Sequence, residues 1–197
     1  TRSGLGGNLI TTCVIPDGLQ VATVRTGVFK AGQPVDASPD VVQEAVTAPA
    51  VDRRVELLEY VPSTDASKAQ LEDADIVVSG GRAMGNAENF AILEDLASAL
   101  GPTAAVGSSR PPADSGWVPS QIEIGISGKK ISPALYIACG ISGASQHLAG
   151  MSSSKTIVAI NSDPDAPIFD VADLGVVGDL FEIVPALTAA VRRRRES

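Results

Sequence analysis

From residue 74 to the end of the chain, short apolar runs alternate with stretches whose apolar residues recur at helical spacing. That alternation predicts parallel strands joined by helical crossovers, because strands covered on both faces read as continuous apolar runs. Residues 74–79, 104–107, 135–140 and 156–160 are the clearest such runs, residues 121–124 are a further candidate, and residues 175–177 read as an edge strand. Residues 88–100 form the plainest helix: Phe90, Ile92, Leu93, Leu96 and Leu100 share one face, and Gly101 and Pro102 end it. A short helix is expected over 143–151 and a longer one from about Asp179, in which Pro185 should kink the chain or open a separate helix. The fold class expected from this order is α/β, a Rossmann-like parallel sheet flanked by helices.

The front of the chain has another rhythm. Residues 8–14, 19–25 and 54–60 are β-branched or alternating and separated by Gly, Pro and Asp turn signals, so three strands are expected there. Three strands with few helices do not close a core. Residues 1–62 therefore read as an incomplete β-rich segment of a second domain, 63–73 as a linker with a possible short helix, and 74–197 as the main domain.

Composition narrows the function. Hydrophobic residues at 44% against 19% charged exclude a disordered chain, and 19 Gly with 13 Pro point to many tight connections. A net charge of -8 argues against a nucleic-acid surface, which needs clustered cations. The single basic run, Arg192 to Arg195, reads as a solvated tail or a complement to the negative end of a last helix. Cys13 and Cys139 stand far apart in apolar surroundings, so buried free thiols are expected rather than a disulfide or a metal motif. No apolar run is long enough to span a bilayer, so no stable membrane insertion is expected, and the start at Thr1 suggests a fragment or a processed product.

In an open parallel sheet, ligands bind beyond the carboxyl ends of the strands. The residues that follow each apolar run here are small, hydroxylated or cationic: Gly80, Gly81 and Arg82; Ser108, Ser109 and Arg110; Ser127, Gly128 and Lys129; Gly140-Ile141-Ser142-Gly143-Ala144-Ser145-Gln146-His147; Asn161, Ser162 and Asp163. Such loops expose backbone N–H groups to an anion while arginine supplies charge. The glycine turn before a helix suits a pyrophosphate, yet by itself it reads equally well as a bare strand-to-helix turn. Asn161 stands roughly 20 residues beyond it, where a dinucleotide fold places its ribose contact. Asparagine in place of an acid weakens a nicotinamide assignment. His147 is the single histidine, which argues against a histidine metal centre and reads more readily as a packed residue. Ser142 sits in Gly140-Ile141-Ser142-Gly143-Ala144, where alanine replaces the last glycine of a hydrolase elbow. Trp117 reads as a packing anchor for its loop.

Taken together, the run from Val77 to Arg82, Glu88-Asn89-Phe90, the run from Val106 to Arg110, Gly116-Trp117-Val118-Pro119 and the run from Pro133 to Ala138 resemble the alpha subunit of electron-transfer flavoproteins. The stretch from Gly140 to Met151, then Ile157 to Phe169 and Val171 to Gly175, resembles that family's FAD-binding signature. Residues 23–29 resemble the end of the family's preceding domain. The resemblance implies an FAD-binding electron carrier without substrate chemistry of its own. It would pair with a beta subunit in a heterodimer, take electrons from dehydrogenases and pass them to a quinone oxidoreductase or another acceptor. It implies a soluble protein of the bacterial cytoplasm or the mitochondrial matrix. A nicotinamide-dependent oxidoreductase, or a non-redox nucleotide-binding module on the same fold, is the alternative.

The same resemblance implies residue roles. Arg110 would lie against the isoalloxazine ring and stabilise negative charge on reduced flavin. Ile124, Gly125, Ile126 and Ser127 would line the flavin edge, with the Ser127 hydroxyl near N5 and O4, and His147 would approach O2. Arg82 and Ser109 would contact the phosphate and ribityl region, inside a turn formed by Ser142, Gly143, Ala144, Ser145 and Gln146. Asn161, Asp179 and Leu180 would serve the adenosine end. This sequence departs from the family at Ser127, where threonine is usual, and at Ile126, where glutamine is common.

Overall fold

The computed structural model describes residues 2–4, 9–23, 42–45, 58–59 and 70–195. The chain divides into two units, Thr1–Phe29 with Ser67–Ser197, and Lys30–Ala66. Of the second, residues 42–45 and 58–59 are exposed and lack regular secondary structure.

In the first unit, β1 (Arg2–Gly4) pairs antiparallel with β2 (Leu9–Thr11), Ser3 opposite Ile10. The strand expected over 8–14 is thus shorter. The one expected over 19–25 is corrected in its described part: residues 19–23 form no strand, and Leu19 and Val21 are exposed, so their alternation has no layer to pack against. The rest of that segment, most of 54–60, residues 24–29 of the resemblance and most of the 63–73 linker lie outside the described residues; Leu71–Asp73 form a turn closed by Asp73 N–H on Gln70 O at 3.0 Å.

Five parallel strands form the main sheet: β3 (Ile76–Gly80), β4 (Ala104–Ser108), β5 (Leu135–Cys139), β6 (Ile157–Asn161) and β7 (Leu174–Val177), in the order β4-β3-β5-β6-β7. Counted from the first parallel strand this is 2-1-3-4-5, a doubly wound order whose reversal lies between β3 and β5. Side chains alternate between two cores. Val77, Tyr136, Ala138 and Ala159 pack with Met151, Ile124 and Ile168 on one face; Val78, Ile137, Cys139 and Ile160 pack with Leu93, Leu96 and Val184 on the other. Both faces being covered, the inner strands are predominantly apolar.

The second face is built by α1 (Ala91–Leu100) and α4 (Leu180–Arg195), the first by α3 (Ser145–Met151); α2 (Arg110–Asp114) follows β4. The expected helix over 88–100 begins as a 3-10 turn at Glu88–Phe90 and ends at Gly101, φ 122°. Pro185 neither ends nor restarts α4. It lies on the exposed side of the helix. Trp117 is half-buried against the second core, as its packing role requires.

Three expectations are corrected. Residues 121–124 are no strand: Ser120–Ile122 form a 3-10 turn, and Glu123 and Ile124 make only single bridges, to Ser108 and Lys129. Cys139 is buried, its thiol pushed up to about 12 by loss of water, but Cys13 is exposed. The basic run is no free tail, since Arg192 meets Asp95 at 3.0 Å and Arg195 Nη1 donates to Ala99 O at 2.8 Å.

Candidate functional site at the carboxyl edge of the sheet

At the reversal between β3 and β5, two glycine turns touch. Gly81 N–H donates to Cys139 O at 2.9 Å, and any Cβ on Gly81 would strike Gly140 O. Gly140 has φ 62°, and a Cβ there would press on Ala83 and Leu180 at 2.6 and 2.7 Å. Glycine is favoured at both turns: at Gly81 neighbouring backbone occupies the space of a side chain, and at Gly140 the left-handed backbone and the Ala83 and Leu180 side chains oppose one. Arg82 stands exposed directly after this contact.

The turn from β5 into α3 is fixed from outside. Gly143 has φ 90°, and a Cβ there would collide with Ile168 N. Ile168 N–H donates to Ser142 O at 2.9 Å, and Asn161 Nδ2 donates to Ile141 O at 3.0 Å. No side chain caps α3 at Ala144, and Ser142, Ala144, Ser145 and Gln146 are all exposed. The turn therefore presents N–H groups that this chain does not cap, the donor set an anionic pyrophosphate requires, with Arg82 on the adjoining loop.

Asp179 closes the far end. Its Oδ1 accepts from Phe181 N–H at 2.8 Å, so it caps α4, and Leu180 is buried against Gly140.

A second set of contacts pins residues 124–127. Ile124 N–H donates to Ser108 O at 2.8 Å, Ile126 N–H to Gln146 O at 2.8 Å, and Gly125 N–H to Lys129 O at 3.1 Å. His147, 6% exposed, completes the joint: its Nδ1 lies 2.9 Å from Ile124 O and its Nε2 2.8 Å from the Tyr136 hydroxyl. A carbonyl only accepts, so Nδ1 carries hydrogen, and in the neutral ring Nε2 accepts from Tyr136. Burial drives His147 down to about 4, opposed more weakly by the Ile124 carbonyl and the Glu123 carboxylate, so the ring is uncharged at neutral pH. Burial likewise pushes the Tyr136 phenol upward, keeping it protonated. Both ring nitrogens are thus used inside the chain.

Ser109 is buried at the start of α2, its N–H donating to Gly80 O at 3.0 Å. Arg110 beside it is exposed and pairs with Asp114 at 3.0 Å across one helical turn. Ile126 and Ser127 are exposed, and Ser127 Oγ donates to Glu123 Oε1 at 2.6 Å. All the residues expected at a cofactor site thus lie along one edge of the sheet or on the turn docked to it, in two joined groups: Arg82, 142–146, Asn161, Asp179 and Leu180; and Ser109, Arg110, 124–127 and His147.

Sequence reasoning missed Glu123, Tyr136 and Asp114, each of which holds a predicted site residue. Glu123 and Tyr136 were hidden inside apolar runs; Asp114 was legible, four residues after Arg110 on a helix. The Ser108 hydroxyl is fully buried and lacks a hydrogen-bond partner among the described residues, and nothing in the fold accounts for it.

These features match known proteins. Residues 70–152 match the family described as the electron transfer flavoprotein FAD-binding domain. The chain is 47% identical over 194 residues to an electron transfer flavoprotein subunit alpha of Mycobacterium leprae, covering 98% of this chain and 60% of that protein. It is 46% identical to the subunit alpha of Thermoanaerobacterium thermosaccharolyticum, covering 98% of this chain and 58% of that protein. It is 47% identical to the mitochondrial subunit alpha of Dictyostelium discoideum, covering 96% and 54%. The chain thus spans somewhat more than half the length of these relatives. The matched domain is one that binds FAD, and the uncapped turn at 142–146 with Arg82 beside it fits that cofactor's pyrophosphate. By these likenesses the chain belongs to the electron transfer flavoprotein alpha-subunit family.

Proposed function

We propose that this chain holds FAD as the redox centre of an electron-transfer flavoprotein, paired with a beta subunit, carrying electrons from dehydrogenases to a quinone oxidoreductase or similar acceptor. The observation that carries the reading is the joining of the glycine turns after β3 and β5 to the pinned segment 124–127 along one edge of the sheet. FAD supplies the electron-accepting ring; the chain binds, orients and tunes it.

In this reading the N–H groups at 142–146 and Arg82 hold the pyrophosphate, with Ser109 at the ribityl chain. Arg110 faces the ring and favours charge on it. Ile124, Gly125, Ile126 and Ser127 border the ring edge, while His147, uncharged and with both ring nitrogens bonded inside the chain, fixes that border from behind rather than reaching the pyrimidine end itself. Asn161, Asp179 and Leu180 shape the adenosine end. No general acid or base is required, so the chain acts as a carrier rather than a catalyst. Among the described residues no helix is long and apolar enough to cross a membrane. Its setting is proposed as the bacterial cytoplasm or the mitochondrial matrix, with residues 1–62 the end of a preceding domain, 63–73 a linker and 74–197 the FAD domain.

The test is the visible absorption of the chain co-purified with its beta subunit, before and after adding FAD and during stepwise reduction. A bound flavin that bleaches and returns on reoxidation is expected. A complex with no flavin absorption after FAD addition overturns the reading.

A further inference from the structure

Glu123 is 9% exposed, and its Oε1 accepts the Ser127 hydroxyl at 2.6 Å. A carboxylate only accepts, so the Ser127 hydrogen is committed to the line toward Glu123. The turn that carries both residues is tightly closed: Lys129 N–H donates to Glu123 O at 2.8 Å, and a Cβ on Gly128 would strike that same carbonyl. Ser127 is exposed on its outer side. To anything arriving there it offers lone pairs and no hydrogen.

We propose that Glu123 is a positioning residue for the redox cofactor: by holding the Ser127 hydrogen, it makes Ser127 Oγ a hydrogen-bond acceptor toward the flavin edge. This rests on the placing of Ser127 against the flavin in the function proposed above. The flavin ring atom N5 is an acceptor when oxidised. After the ring takes one electron from a donor and one proton from solvent, N5 becomes an N–H donor. An accepting Ser127 favours the protonated form and opposes the lone pair of the unprotonated one. Neither Ser127 nor Glu123 gains or loses a proton in the exchange. A carboxamide at position 123 can donate to Ser127 Oγ instead, which releases the hydroxyl hydrogen toward N5.

The test uses the full complex with the beta subunit, loaded with FAD and reduced by dithionite one electron at a time. The readouts are the red anionic and blue N5-protonated radical spectra and the proton uptake that accompanies the first electron. Glu123→Gln should raise the ratio of red to blue several-fold over the parent and lower the proton uptake. Ser127→Ala, at an exposed position, should raise the same ratio alone and abolish the effect of Glu123→Gln when combined with it. A bound flavin whose ratio is unchanged in either single variant overturns the inference while leaving the carrier function standing. A parent complex that takes up no FAD overturns both.

Discussion

The Tyr136 hydroxyl lies 2.8 Å from His147 Nε2, joining the start of β5 to α3 through a buried pair that shields both groups from water. Because Nδ1 of the same ring reaches Ile124 O, the pair ties the core to the segment bordering the proposed flavin.

A pH dependence follows from this pair. His147 falls from its ordinary 6.5 to about 4 in the folded chain, with Tyr136 and Glu123 the titratable groups that face it. Between those values the unfolded chain binds a proton that the folded chain does not, so stability is full above 6.5 and is lost as pH falls toward 4. Urea unfolding at pH 7 and pH 5 should show a loss on the order of 2 kcal/mol from this group. As the chain has one histidine, the imidazole 15N signals report it directly. A midpoint at or above 6.5, or a hydrogen resident on Nε2, would count against the arrangement.

Arg110 and Asp114 are both mostly exposed, so their ion pair adds about 0–1 kcal/mol and Arg110→Ala should leave thermal stability nearly unchanged. FAD affinity, measured by fluorescence titration of the complex, should nevertheless drop by about tenfold with a lost charge-assisted contact. Asp114→Asn, which frees the guanidinium, should tighten binding or leave it equal. Equal affinity in the parent and Arg110→Ala would remove Arg110 from the site.

Gly143→Ala combines a left-handed backbone with a collision against Ile168 N, where backbone cannot swing aside. A loss of about 1–3 kcal/mol is expected, read as a lowered melting temperature. Unchanged melting would mean that the turn relaxes freely.

Asp179 separates two roles cleanly. As the cap of α4 it should tolerate Asn, an equally good cap, whereas Ala should cost about 1 kcal/mol in chemical denaturation. If Asp179→Asn also weakens FAD binding while stability holds, the residue serves the adenosine end as well as the helix.

The parallel sheet was legible because its inner strands are buried on both faces, so Val77, Val78, Ile137 and Ala159 form apolar runs that little else in a soluble fold produces. Residues 121–124 look much the same in sequence, yet Glu123 interrupts them and turns inward to Ser127, which periodicity does not reveal. Leu19 and Val21 alternate like a strand but meet no second layer, and alternation reports a strand only when something covers it. The candidate site residues were legible at strand ends, where small and charged residues break the apolar runs. Their supports were not: the bonds of His147 to Tyr136 and Ile124 join positions 11 and 23 residues away, chosen by tertiary packing rather than by local pattern.

Arg195 donating to Ala99 O reaches back 96 residues to finish a helix near the beginning of the domain. On a ribosome, α1 would emerge with its last carbonyls open to water long before its closing partner is made. Contacts of such sequence separation form late and slow the search for the native state. The Ala99 carbonyl at the end of α1 thus gains its side-chain donor only when the last residues of α4 are in place.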